Sequence, residues 1–146
     1  YHILKHENIA RFWTQLRAFR EKHKSCAPFT VFSADIFSPS LEASILRGAH
    51  MLPLLKELRV DVACYGNHGK YPFHRFDFGE ERLRELTAQT DFPWLLSNAF
   101  HAASHNAFGS SHDRANSPSP LLASAQRYHI VTLQGFRVGF FGLAGT

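Results

Sequence analysis

The most informative stretch of the chain is Val60-Asp61-Val62-Ala63-Cys64-Tyr65, followed at once by Gly66-Asn67-His68. A short apolar and β-branched run that ends at a glycine is typical of a buried strand, so we predict a strand over residues 60–65. The next three residues supply a backbone that turns sharply, an amide oxygen donor and an imidazole that titrates near neutral pH. This stretch therefore predicts a strand that ends in chemically useful side chains.

An earlier stretch has the same pattern of an apolar run followed by a polar residue. Residues Phe29-Thr30-Val31-Phe32-Ser33 predict a second buried strand, which places Asp35 at its carboxyl end. Between the two strands, residues 41–58 have a helical pattern that Gly48 and Pro53 are expected to divide. Before them, a helix over about residues 8–23 is predicted to bury one apolar face: Ile9, Phe12, Trp13, Leu16 and Phe19. The alternation predicts a layered α/β fold, whose ligand sites lie at the carboxyl ends of parallel strands.

The second half of the chain continues the alternation. A charged helix is expected over residues 79–89, with Phe78, Leu83 and Leu86 facing inward, and a strand over residues 92–98. Residues 99–125 have no period and predict a long surface loop. Two strands, residues 128–133 and 136–141, are joined by Gln134-Gly135 as a tight hairpin.

Composition excludes several classes of protein. The 146 residues suit one domain, and 16 Lys+Arg against 12 Asp+Glu give a net charge of +4. The basic residues are spread from Lys5 to Arg137, too dilute for a nucleic-acid partner. Cys26 and Cys64 form no disulfide framework. No apolar run could cross a bilayer, so we expect a soluble protein, with its compartment and oligomeric state left open.

The ends of the chain suggest that it is a piece of a longer protein. It begins at Tyr1 and ends directly after the apolar run of residues 138–144. We therefore expect residues 1–146 to be a partial domain, truncated at both ends.

Asp35 and Asn67-His68 are expected at one edge of the sheet, and this convergence is the main functional signal. A single Asp at a strand end is most often a turn former or a helix cap. An additional amide oxygen and an imidazole at the same edge favour a metal or phosphate site instead.

These residues resemble the calcineurin-like metallophosphoesterases, and within them the 5'-nucleotidase type. The resemblance rests on Ser33-Ala34-Asp35, on Gly66-Asn67-His68, on Phe76-Asp77-Phe78-Gly79, and on the strand from Phe92-Pro93 to Ser97-Asn98. It covers most of residues 9–98 and about 122–146. It implies the N-terminal half of a layered αββα sandwich and a metal-dependent hydrolase of nucleotides or other phosphomonoesters.

The resemblance also implies roles for particular residues. Asp35 would bridge two divalent ions (Zn, Mn, Mg or Ca), and Asn67 would bind the second ion and the substrate phosphate. His68 would contact the phosphate or protonate the leaving oxygen, with Asp77 orienting its imidazole. His2 is a further ligand candidate, because Tyr1-His2-Ile3 is similar to a remnant of the family's first motif.

The chain also departs from the family's pattern. Residues 69–75 stand where the family has one acidic residue, so Asp77 follows His68 by nine positions instead of three. This insertion is either a retained intron or a real loop, which we expect to protrude. Ala34 replaces the usual glycine beside the bridging Asp.

Two other functions remain open from the sequence. The chain could be a catalytically inactive, truncated or mispredicted relative that keeps the fold, or, less favoured, a basic binding module. A metal patch formed by His101, His105 and His112 is also less favoured than a solvated loop.

Overall fold

The structure is a computed structural model that describes residues 6–66, 78–100 and 121–144. Its helices are α1 (His6–Lys22), α2 (Leu41–Leu46), α3 (Met51–Leu58) and α4 (Glu80–Thr87), with short 3₁₀ turns at Lys24–Cys26 and Leu122–Ser124. Its strands are β1 (Val31–Ala34), β2 (Val62–Tyr65), β3 (Trp94–Leu95), β4 (Tyr128–Leu133) and β5 (Phe136–Phe141). None of the helices in these ranges is long and apolar enough to cross a membrane.

Strands β1, β2 and β3 form a parallel sheet with β2 in the centre. The central strand is largely buried, with Val62 and Ala63 each 1% exposed. The prediction of a buried strand at residues 29–33 is partly wrong, because β1 begins at Val31 and Val31 is 52% exposed. Within the described residues β1 pairs with β2 alone, so only one of its long sides is covered.

The core lies between the parallel sheet and helices α3 and α4. Leu55 of α3 and Leu86 of α4 are each 1% exposed, and both pack in the same cluster as Trp94. The Trp94 ring stacks on Tyr65 and on Phe37, with ring centroids 4.9 Å and 5.5 Å away. The inward positions predicted for Leu83 and Leu86 are therefore confirmed.

Gly48 separates α2 from α3, as the sequence predicts. Its φ of +84° belongs to the left-handed region, and an added Cβ would lie 2.9 Å from the Leu86 side chain. The expected break at Pro53 is wrong, because Pro53 lies inside α3. As the third residue of that helix it needs no N–H donor, since the first four amides of a helix have no intrahelical partner.

Helix α1 forms where it is predicted, but only part of its apolar face is covered. Trp13 and Leu16 pack against the core, whereas Phe12 and Phe19 are 57% and 55% exposed. The period of a helix predicts which residues share a face, and it does not tell how wide a surface the neighbouring elements present.

Strands β4 and β5 form the predicted antiparallel hairpin, with Tyr128 opposite Phe141 and Leu133 opposite Phe136. Gln134 and Gly135 have φ values of 51° and 85°, as the two central residues of a type I′ turn require. The side chain of Gln134 donates a hydrogen bond of 2.6 Å to the carbonyl of Cys26, which fastens the turn to the rest of the molecule.

Strand β3 is shorter than the predicted strand over residues 92–98. Beyond Leu95 the backbone bonds to other partners: Leu96 N–H donates to the Gln126 carbonyl at 3.1 Å. Most of the loop predicted over residues 99–125, including His101, His105 and His112, lies outside the described residues. At its borders Phe100 pairs with Leu121 in an isolated β-bridge.

Candidate functional site

The carboxyl ends of β1 and β2 lie side by side. Ala34 is paired with Tyr65 in the parallel register, so the next residues, Asp35 and Gly66, follow at the same edge of the sheet. This is the arrangement that the sequence predicts for Asp35 and the strand end leading into Asn67. The edge is also where parallel α/β sheets bind their ligands.

Gly66 lies against the Asp35 carboxylate so closely that no larger residue fits. A Cβ placed on Gly66 would lie 1.8 Å from Asp35 Oδ1, 2.5 Å from Asp35 Cγ and 2.8 Å from the Asp35 backbone nitrogen. Atoms in ordinary contact are about 3.5 Å apart or more. The missing side chain at position 66 is therefore what allows the Asp35 carboxylate to occupy this place. The sequence indicates a turn-forming role for Gly66, and its steric role is visible only in three dimensions.

Asp35 is exposed at this edge, so its carboxylate is accessible to a cation or a ligand from solvent. A carboxylate that is open to solvent and held at a strand end fits a hard divalent ion, which prefers oxygen ligands. The described residues contain no cluster of three or more potential metal-ligating His, Cys, Asp or Glu side chains. Asn67, His68, Asp77 and His2 lie outside the described residues, as does the insertion at residues 69–75.

The end of β3 contributes to the same edge through Ser97 and Asn98. In the parallel register Cys64 is level with Leu95, so Ser97 follows at about the level of Gly66. The side chains of both residues bond to the backbone, and Asn98 joins the edge to Ala144 beyond β5. Sequence reasoning treats Ser97-Asn98 only as the end of a strand, although polar side chains at this point are a signal that it could have used.

Two titratable side chains of β2 lie just beneath the edge. The Tyr65 hydroxyl donates to the Ala123 carbonyl at 3.2 Å, and burial raises the Tyr65 pKa to about 12. Hydrogen bonding to Thr87 and the charge of Arg84 lower the pKa of Tyr65, and Glu80 raises it. Burial also raises the pKa of the Cys64 thiol, and a hydrogen bond to Leu143 opposes that shift. Tyr65 and Cys64 are therefore neutral at physiological pH, and neither serves as an acid–base group there.

The fold has a likeness among solved structures. The NAD nucleotidase of Haemophilus influenzae superposes with a TM-score of 0.66 at 21% sequence identity, over 93% of this chain. The chain spans 23% of the length of that nucleotidase. No protein-family model matches the chain, and no curated protein matches it in sequence.

This likeness confirms the predicted fold class. The chain has a mixed α/β fold, with a parallel sheet and helices, and most of this chain matches part of a nucleotidase structure. At 21% identity the likeness concerns the fold. The chemistry of the site has to be argued from the residues themselves.

Proposed function

We propose that this chain is part of a metal-dependent phosphomonoester hydrolase of the 5'-nucleotidase type, acting on nucleotides or similar phosphomonoesters. The observation that carries the proposal is the position of Asp35 against Gly66, at the carboxyl edge of a parallel sheet in a nucleotidase-like fold. The order of the motifs in the sequence supports it further, because Asn67-His68 follows Gly66 directly.

In this proposal Asp35, Asn67 and His2 would hold two divalent ions. When bound, the ions neutralise the charge that develops on the phosphate oxygens. Asp35 would suit a position between two cations, because a carboxylate has two oxygen donors and one negative charge. Asp35 is an exposed residue, and its carboxylate lies directly against Gly66 at this edge of the sheet.

The remaining roles belong to the chain's own proton-transfer groups. In this proposal His68 would bind the phosphate or give a proton to the leaving oxygen of the substrate, and Asp77 would accept a hydrogen bond from the His68 ring and so orient it. Neither Tyr65 nor Cys64 competes for these roles, because burial raises both of their pKa values.

The first experiment measures metal content and hydrolysis of nucleoside 5'-monophosphates by the complete protein that contains this chain. Asp35→Asn should lose metal and activity together, because the bridging carboxylate becomes a neutral amide. Asp61→Asn is the matched control: Asp61 precedes β2 at the opposite edge, where Oδ2 accepts a 2.6 Å hydrogen bond from Thr30 N–H. Unchanged activity in Asp35→Asn would contradict the proposal.

His68→Asn separates the proton-transfer role from metal binding. Metal content should stay close to that of the wild-type protein while kcat falls by roughly 10²- to 10⁴-fold. Loss of metal from His68→Asn, together with full activity in Asp35→Asn, would show that the two roles are assigned wrongly.

The competing hypothesis of an inactive relative is tested through the insertion. Sequencing the transcript across codons 68–76 shows whether residues 69–75 are retained in the message. Replacing residues 69–75 with a single Asp restores the three-residue spacing from His68 to Asp77. If the retained segment is what disables the site, this replacement should raise hydrolysis strongly. Equal and negligible activity in both proteins, with bound metal in neither, would favour the inactive relative.

A further inference from the structure

The backbone beyond β5 returns to the edge that carries Asp35 and Gly66. Residues 142–144 are held there by the side chains of Ser97 and Asn98, which follow β3. We refer to these two residues and their bonds to residues 142–144 as the Ser97–Asn98 clamp.

Asn98 binds both polar backbone groups of Ala144. Its Nδ2 donates to the Ala144 carbonyl at 2.9 Å, and its Oδ1 accepts from the Ala144 N–H at 3.1 Å. A side-chain amide can donate and accept at the same time, so Asn98 pairs with Ala144 as a residue of a neighbouring strand would. The pair joins positions 46 residues apart in the chain.

Ser97 and Gly142 tighten the same connection. Ser97 N–H donates to the Gly142 carbonyl at 2.6 Å, and Gly142 N–H donates to Ser97 Oγ at 3.1 Å. Ser97 Oγ in turn donates to the Arg127 carbonyl at 2.5 Å. A Cβ on Gly142 would lie 2.7 Å from both Cys64 Sγ and the Leu95 carbonyl oxygen, so the backbone here lies directly on β2 and β3.

The clamp is one of several contacts that attach the hairpin to the rest of the molecule. The turn of the hairpin is fastened by Gln134, which bonds to the Cys26 carbonyl, and a second contact, between the Phe29 and Phe140 rings with centroids 5.0 Å apart, lies near the end of β5. What the clamp adds is a definite position for residues 142–144 beside the ends of β2 and β3. That position lies on the β3 side of the edge, whereas Asp35 lies on the β1 side.

We infer that Asn98 is a positioning residue of the proposed phosphoesterase site. By holding the backbone of residues 142–144 against the ends of β2 and β3, it forms the wall of the site opposite Asp35. This inference rests on the proposed function, and it concerns the orientation of the substrate, since the proposed metal ligands Asp35 and Asn67 follow β1 and β2 instead.

The first test measures hydrogen exchange in the complete protein. Asn98→Ala removes two hydrogen bonds, so the Ala144 amide should exchange about 10-fold faster or more. Gln134→Ala is the matched control, because it also removes a side-chain bond that ties the hairpin down, at the turn instead of the site. In that variant the exchange of Ala144 should be unchanged. Equal exchange of Ala144 in the wild-type protein and Asn98→Ala would overturn the inference.

The second test measures hydrolysis and bound metal in the same proteins. Asn98→Ala should lower kcat about 10-fold or more, because a displaced wall misorients the reacting groups, while KM changes less than about 3-fold and metal content is unchanged. Asn98→Asp keeps the size of the side chain but faces the Ala144 carbonyl with a carboxylate, so it should also lower kcat. Gln134→Ala should keep the wild-type kcat.

The outcomes separate this inference from the proposed function. Faster exchange of Ala144 with an unchanged kcat, or an Asn98→Asp variant as active as the wild-type protein, would overturn the positioning role alone. If the wild-type protein hydrolyses nothing, the proposed function fails. The affinity for inorganic phosphate in the presence of Mn²⁺ is then measured instead. Weaker phosphate binding in Asn98→Ala would then support the positioning role, and unchanged binding, or none in the wild-type protein, would overturn it.

Discussion

Gly66→Ala is the substitution whose effect on stability follows most directly from the structure. The new Cβ would lie 1.8 Å from Asp35 Oδ1, and rotation of the Asp35 side chain could relieve that overlap. The distance of 2.8 Å to the Asp35 backbone nitrogen would remain, and it can be relieved only by moving the ends of β1 and β2 apart. Overpacking of this kind costs roughly 1–3 kcal/mol.

We therefore expect Gly66→Ala to lower the free energy of unfolding by about 2 kcal/mol and Tm by roughly 4–8 °C. It should also weaken metal binding, because the Asp35 carboxylate is displaced. The assays are denaturant or thermal unfolding and metal titration. Gly139→Ala in β5 is the matched control, since an added Cβ there meets nothing within 4 Å. That variant should be as stable as the wild-type protein, or more stable by up to about 1 kcal/mol.

A double-mutant cycle tests the cause of the effect. In an Asp35→Ala background the overlaps with Oδ1 and Cγ no longer exist, so Gly66→Ala should cost less there, by at least about 0.5 kcal/mol. The same cost in both backgrounds would refute the argument that the carboxylate and the glycine share one space. So would a Gly66→Ala protein with wild-type stability.

Two further predictions concern the core beneath the site. The pKa of Tyr65 is raised to about 12, so the folded state favours the neutral hydroxyl. This preference stabilises the fold fully below about pH 10. Up to about 3 kcal/mol of that stabilisation is lost as the pH rises through 12. Unfolding of Tyr65→Phe should lack this loss when it is measured beside the wild-type protein over the same pH range, and identical pH profiles would contradict the prediction. Leu86→Ala should cost roughly 3 kcal/mol, because Leu86 is 1% exposed, whereas Leu41→Ala should change stability by less than about 0.5 kcal/mol, because Leu41 is 76% exposed. Similar losses from these two variants would show that the core is packed differently.

The elements that the sequence predicts best depend on local chemistry. The β4–β5 hairpin has the predicted boundaries, because its alternating residues and the positive-φ pair Gln134-Gly135 specify both strands and the turn between them. The separation of α2 from α3 follows for the same reason from Gly48. Pro53 is the exception, since the effect of a proline depends on its position within a helix.

Part of the candidate site was also predictable. Two apolar strands joined through helices predict a parallel pair, and a parallel pair brings its carboxyl ends together, so Asp35 was expected beside the residues that follow β2. The distance between Asp35 and Gly66 was not predictable in this way. It depends on how closely the ends of two strands approach each other, and this cannot be read from the spacing of residues in the sequence.

By itself, then, the sequence determined the succession of helices and strands, the α/β class and the edge at which Asp35 lies, because all three follow from residue patterns repeated over short distances. Tertiary structure decided what each pattern is packed against. In the folded protein Phe12, Phe19 and Val31 remain largely exposed. Strand β3 ends at Leu95, because the backbone beyond it forms hydrogen bonds with other segments of the chain. The bonds from Ser97 and Asn98 to residues 142–144 join positions about 45 residues apart. Such long-range pairs depend on how the whole chain folds, so they cannot be predicted from a local sequence pattern.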